Sequence, residues 1–168
     1  PCCDAPVVLQ DVYATLLEAA GSPLPERTEG RSLLPLTLAG TAAGARREFI
    51  HGEHSACYDP DNGMQFLTDG RAKYIWFTRG GTEQLFDLTK DPEELHDLSA
   101  DSSCRDRLEI WRSRLVELLA GRDEDGLSDG SRLIAGKVLP AVRQSTLDAL
   151  AKLPTVTADG DAGRHKGD

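Results

Sequence analysis

No apolar run in these 168 residues approaches the roughly 20 that a membrane-spanning helix needs, so the sequence offers no such helix. Its first residues also lack the basic, then apolar, then small-residue order of a secretory signal. A targeting segment upstream of Pro1 stays open, and localisation is almost unconstrained. Positive charge is in short supply: 19 Lys and Arg stand against 28 Asp and Glu, a formal net charge of -9. Such a surface repels polyphosphate, and no basic stripe is interleaved with aromatics, so neither nucleic acid nor an anionic membrane is an expected partner. Cysteine is sparse as well. Cys2, Cys3, Cys57 and Cys104 show no C-x-x-C spacing and no paired-histidine pattern, which argues against zinc fingers and disulfide scaffolding. They read as plain thiols of a reduced, cytoplasm-like compartment, with redox or metal chemistry at the adjacent Cys2 and Cys3 as the alternative. No internal repeat is present.

What is there suffices for one domain with a core: 39% of the chain is hydrophobic. Residues 7–20 read as a helix, with Asp11 near its start, Gly21 past its end and Pro23 and Pro25 as stops. Val12, Tyr13, Ala14, Leu16, Leu17, Ala19 and Ala20 cover nearly every direction around its axis. A helix this apolar is buried on more than one side, which asks for packing partners outside the sequence. A loop and a Gly/Ala/Thr-rich linker follow, up to Arg46. Strands are expected over residues 48–53, 64–68, 73–78 and 82–87. Asp69-Gly70 and Arg79-Gly80-Gly81 supply tight reversals, so the last three should form an antiparallel meander. A short helical turn is expected over 93–98, capped by Asp87 and Asp91. Over 103–120, Leu108, Trp111, Leu115 and Leu118 or Leu119 recur at helical spacing before Gly121, an apolar stripe suited to lie on the sheet. Residues 131–150 hold short helical or extended pieces around Pro140, and 158–168 read as a disordered tail.

Several of these segments, in this order, resemble the C-terminal part of the sulfatases. Asp11, Thr15, Leu16, Leu17, Ala20 and Gly21 look like the helix that closes the large sulfatase domain, and Gly30 to Pro35 like the link after it. Arg47 to His54, Gln65 to Tyr74 with Asp69-Gly70, and Leu85-Phe86-Asp87-Leu88 before Asp91-Pro92 complete the match, which covers roughly residues 8–120. The resemblance implies an α+β unit: a small four-stranded antiparallel sheet with a packed C-terminal helix, preceded by one helix of an alkaline-phosphatase-like α/β domain. Taken with the composition beyond Gly121, it divides the chain into that terminal helix (1–21), a linker (22–46), the sheet-plus-helix subdomain (47–120), an irregular extension (121–157) and the tail (158–168). It also implies a parent that hydrolyses sulfate esters with a cysteine oxidised to formylglycine, in a Cys-x-Pro-Ser-Arg setting, beside a calcium or magnesium ion. Those groups are expected upstream, in the large domain that would be this chain's partner. The tail of a related phosphonate or phosphate ester hydrolase, or a free-standing interaction module with the same fold, is the alternative.

No catalytic residue is expected within the chain. Cys3 is followed by Asp4-Ala5-Pro6, Cys57 by Tyr58-Asp59-Pro60 and Cys104 by Arg105-Asp106-Arg107, none of which is a formylglycine context. The one cluster with chemical promise is His51, Glu53 and His54. On a strand His51 and Glu53 share a face and His54 takes the other, so capturing one metal ion would require a bend at Gly52. Within a whole enzyme, His51 or His54 would touch substrate at a cleft wall; structural hydrogen bonding at a domain interface is the plainer role. Asp59, Asp61, Asn62 and Gly63 miss the EF-hand register and read as an acidic turn. Lys73 is expected to lay its stem over Trp76 or its neighbours with the ammonium in solvent, and Trp76 and Trp111 to meet between sheet and helix.

Overall fold

Two short stretches build the centre of the molecule: Met64–Thr68, where burial alternates from residue to residue, and Ala72–Phe77, which is apolar but for Lys73. In the computed structural model, which describes residues 5–38, 47–55, 59–122 and 125–137, four strands form one sheet. They are β1 (Ile50–His54), β2 (Met64–Thr68), β3 (Ala72–Phe77) and β4 (Glu83–Asp87). All neighbours are antiparallel and the order in space is the order in sequence. Three helices accompany them: α1 (Gln10–Ala19), α2 (Leu34–Leu38) and α3 (Arg105–Ala120). The architecture is the expected α+β sheet with a C-terminal helix.

The register explains the two faces. Leu67 stands opposite Tyr74, which stands opposite Leu85. All three are fully buried, and they share one cluster with Trp76 from the sheet and with Leu108, Trp111, Leu115 and Leu119 from α3. The helix therefore lies across β2 and β3 with its apolar stripe inward. Both tryptophans belong to this cluster. At its edge the Tyr74 hydroxyl donates to Glu83 at 2.5 Å, and Arg112 grips the same carboxylate through Nε and Nη2 at 2.7 and 2.6 Å. Burial pushes the Tyr74 hydroxyl well up, with the Glu83 charge acting in the same direction. Arg107 with Asp87 and Arg114 with Glu48 pin the helix further along. Leu127, beyond α3, is fully buried in the same cluster. Its segment is tied back by Ile134 N–H to the Leu127 carbonyl at 2.8 Å and Gly136 N–H to that of Thr78 at 3.0 Å.

Several local expectations are corrected. Residues 93–98 form no helix: Glu94 takes a positive φ of 58°, and Asp91 accepts from His96 N–H at 2.7 Å, closing a turn instead. Asp87 likewise accepts from Thr89 N–H, at 3.2 Å. Residues 34–38, read as part of a link, make the short α2. Lys73 does not cover Trp76, because strand alternation puts the two on opposite faces; its ammonium pairs with Glu94 at 2.7 Å and stands 5.4 Å from the centroid of the Phe66 ring. Cys2, Cys3, Cys57, the 158–168 tail and the pieces expected around Pro140 lie outside the described residues.

Candidate functional site

The approach to β1 is fixed by one carboxylate. Asp11, in the first turn of α1 and fully buried, receives both Arg47 guanidinium nitrogens at 2.5 and 2.6 Å. It also accepts Arg31 N–H at 2.8 Å and Val8 N–H at 2.9 Å. Burial alone would raise its pKa; the Arg47 hydrogen bonds and charge and the two backbone donors outweigh it and hold the group at about 2. Thr15, one turn on, accepts Leu33 N–H at 2.9 Å. Between them Gly30 presses on the helix so closely that a Cβ there would sit 2.2 Å from the Gln10 carbonyl oxygen. The loop 29–33 is thereby bound to α1, and Arg47 carries the connection to the sheet.

On β1, His51 pairs with Leu67 and Glu53 with Gln65, so His51 and Glu53 share the face that looks toward α3, as the period of two requires. They are joined through Gln65, a residue only 2% exposed. His51 Nε2 lies 2.7 Å from Gln65 Oε1, and Gln65 Nε2 donates to Glu53 Oε2 at 3.4 Å. Arg122, just past the end of α3, donates to the same Glu53 oxygen at 2.9 Å and pairs with Asp125 at 2.6 Å. For Glu53 burial works upward, but Arg122 overrides it, aided by Gln65 and His51, and the carboxyl stays below its ordinary range.

These side chains wall an open cavity of about 780 Å³ between the entry to α1, β1 and the end of α3, lined by Val8, Arg47, Phe49, His51, Glu53 and Arg122 among others. His54 is exposed at the end of β1 and contributes instead to a smaller hollow of about 110 Å³, shared with Gln65, Arg122 and Asp125. The two histidines are thus not brought into one cavity; Glu53 and Arg122 border both. Among the described residues no three His, Cys, Asp or Glu side chains gather to hold a metal ion. Cys104, half-buried, immediately precedes α3, with its sulfur 3.9 Å from Ser103 Oγ. The site has acceptors, donors and an imidazole, suited to holding polar groups. Gln65, Arg122 and Arg47 went unremarked as site residues in the sequence. Gln65 alone left a signal there, as a polar residue at a core-facing strand position two before Leu67.

The described residues thus form a small antiparallel sheet crossed by one helix, with polar chemistry gathered at its edge strand β1. Residues 3–120 match the family model described as N-sulphoglucosamine sulphohydrolase, C-terminal. An arylsulfatase of Clostridium perfringens is 36% identical over 133 residues, 79% of this chain and 26% of that protein. Among solved structures, a candidate sulfatase from Bacteroides thetaiotaomicron superposes with a TM-score of 0.60 at 25% identity, covering 80% of this chain and 31% of that one. The phosphonate monoester hydrolase of Agrobacterium radiobacter shares the fold, with a TM-score of 0.52 at 24% identity over 66% of this chain and 24% of its own. The chain belongs to the N-sulphoglucosamine sulphohydrolase C-terminal family and is a C-terminal portion of a sulfatase-like protein. It spans about a quarter or less of the length of the curated relatives it matches.

Proposed function

We propose that this chain completes a sulfuric ester hydrolase, forming one wall of its substrate cleft without being catalytic alone. The observation that carries this is α1. Of its residues only Asp11 and Ala14 are buried, while Leu16, Tyr13 and Val12 are 65%, 51% and 47% exposed and Leu9 just before it 84%. Exposed apolar surface concentrated on one helix marks an interface. The family supplies the occupant, the large α/β domain upstream in the same polypeptide, to which residues 1–21 would belong. Residues 22–46 then link it to the 47–120 subdomain.

In the parent, formylglycine supplies the nucleophile and a calcium or magnesium ion neutralises the ester's charge. This chain's residues do not fit either group: Cys104 runs into Arg105-Asp106-Arg107, and among the described residues no three carboxylate, histidine or cysteine side chains gather to hold a cation. Both groups are assigned to the upstream polypeptide. What this chain offers is His51 at the larger cavity and His54 at the smaller one, as contacts to the substrate. Positioned groups of this kind contribute roughly 10²- to 10⁴-fold as acids or bases, far short of what ester hydrolysis needs.

The test compares the chain alone with the polypeptide extended upstream, using aryl sulfate, phosphate and phosphonate esters. The extended protein is expected to turn over the sulfate, and the chain alone none of them. His51→Ala and His54→Ala in the extended protein should each lower kcat/KM about tenfold. Metal-dependent turnover by the chain alone, or a preference for phosphonates in the extended protein, would overturn the reading.

A further inference from the structure

Gln65 is a polar side chain at an otherwise apolar position of the sheet's inner face, 2% exposed and bonded at both ends. Which end faces which neighbour follows from charge. Glu53 Oε2 receives Arg122 Nη1 at 2.9 Å, and a guanidinium keeps its proton at any pH the fold meets. The carboxylate beside it stays ionised and can only accept. Gln65 must therefore turn its amide nitrogen toward Glu53 and its oxygen toward His51. A flipped carboxamide would set oxygen against carboxylate, a contact without a proton between two acceptors. The carboxamide oxygen in turn only accepts, so the ring nitrogen 2.7 Å away has to carry the hydrogen.

We propose that Gln65, aligned by Glu53 and Arg122, is a positioning residue that fixes His51 as its Nε2–H tautomer and leaves Nδ1 as the nitrogen a ligand meets. Among the described residues no group is bonded to Nδ1, and His51 lines the larger cavity. Neutral Nδ1 is an acceptor. The ligand group it takes is a donor, a hydroxyl or an N–H of the substrate's alcohol portion, rather than a bare anionic oxygen. The ligand half of this inference rests on the reading of His51 as a substrate contact; the tautomer does not.

Long-range proton–nitrogen NMR on the ¹⁵N-labelled 168-residue chain, in mildly alkaline buffer, reads the tautomer directly, with the His51 signals assigned by their loss in His51→Asn. The expected pattern is one protonated nitrogen at Nε2 and one unprotonated at Nδ1. Gln65→Leu should return the ring to the exchanging mixture of a free imidazole, and Glu53→Gln should loosen it in the same direction while the β2 and β3 amide signals hold. An Nδ1–H ring or an exchanging mixture in the unaltered chain would overturn the proposal, as would a tautomer unmoved by both substitutions. Should Gln65→Leu fail to fold, the unaltered chain and Glu53→Gln still decide it. A fixed Nε2–H tautomer in a protein whose extended form hydrolyses no sulfate ester would leave this inference standing and remove the hydrolase reading alone.

Discussion

At the scale of single residues, Asp11 does more than any other to decide where the first helix sits. Its carboxylate is fully buried and collects the Arg47 guanidinium with the Arg31 and Val8 backbone donors. Removing one partner of a buried pair leaves the other charge uncompensated, so Asp11→Ala is expected to cost about 3–5 kcal/mol in urea unfolding. A control that removes both partners, Asp11→Leu with Arg47→Met, should cost much less. The pair also sets an acid limit. The Asp11 pKa lies at about 2 in the folded chain against an ordinary 3.8, so its contribution is complete above pH 4 and is lost as pH falls through 2. An acid titration followed by tryptophan fluorescence should show that step in the native chain and lack it in Asp11→Leu/Arg47→Met. In the sequence Asp11 was legible as a residue near a helix start and as part of a motif. Its partner, 36 positions away, was not, since nothing in local spacing names a long-range counter-ion.

At the scale of elements, β1 shows how a strand can be fitted to its neighbour through a missing side chain. Gly52 stands opposite Phe66, whose ring lies where a Gly52 Cβ would be, 2.1 Å from its Cζ. Gly52→Ala should therefore destabilise by about 1–3 kcal/mol. Combined with Phe66→Leu the cost should be less than the sum of the two, a coupling that a double-mutant cycle in urea measures. The meander itself was readable beforehand, because short runs rich in apolar residues and the glycine reversals between them carry strand and turn in the local sequence. Strand ends moved by a residue or two: β1 runs from Ile50 to His54, where 48–53 was expected. The segment 93–98 departed more, since its conformation is set by the Lys73–Glu94 pair and by the Asp91 turn rather than by helix preference.

At the scale of the whole molecule, the core extends past the helix that closes the sequence motif. Leu127 is fully buried among Trp111, Leu115 and Leu119, in a stretch whose Asp, Gly and Ser content reads as loop. Leu127→Ala should lower stability by about 2–5 kcal/mol, checked by chemical unfolding followed through Trp76 and Trp111. At the opposite end of the chain α1 behaves in reverse, an apolar helix with Leu16 65% exposed. Its composition called for burial on more than one side, and the described residues bury only the one face that carries Asp11 and Ala14.

The sequence by itself determined the sheet, its meander order, the α3 stripe and the family, because each is written in local periodicity, turn residues or the order of short motifs. It also determined that His51 and Glu53 share one face, which follows from strand alternation alone. Only the tertiary structure decided that Gln65 joins them, that Arg122 borders both cavities and that Arg47 holds Asp11. Those contacts link residues 12 to 69 positions apart, and they form because burying a polar group demands a partner wherever the chain happens to bring one.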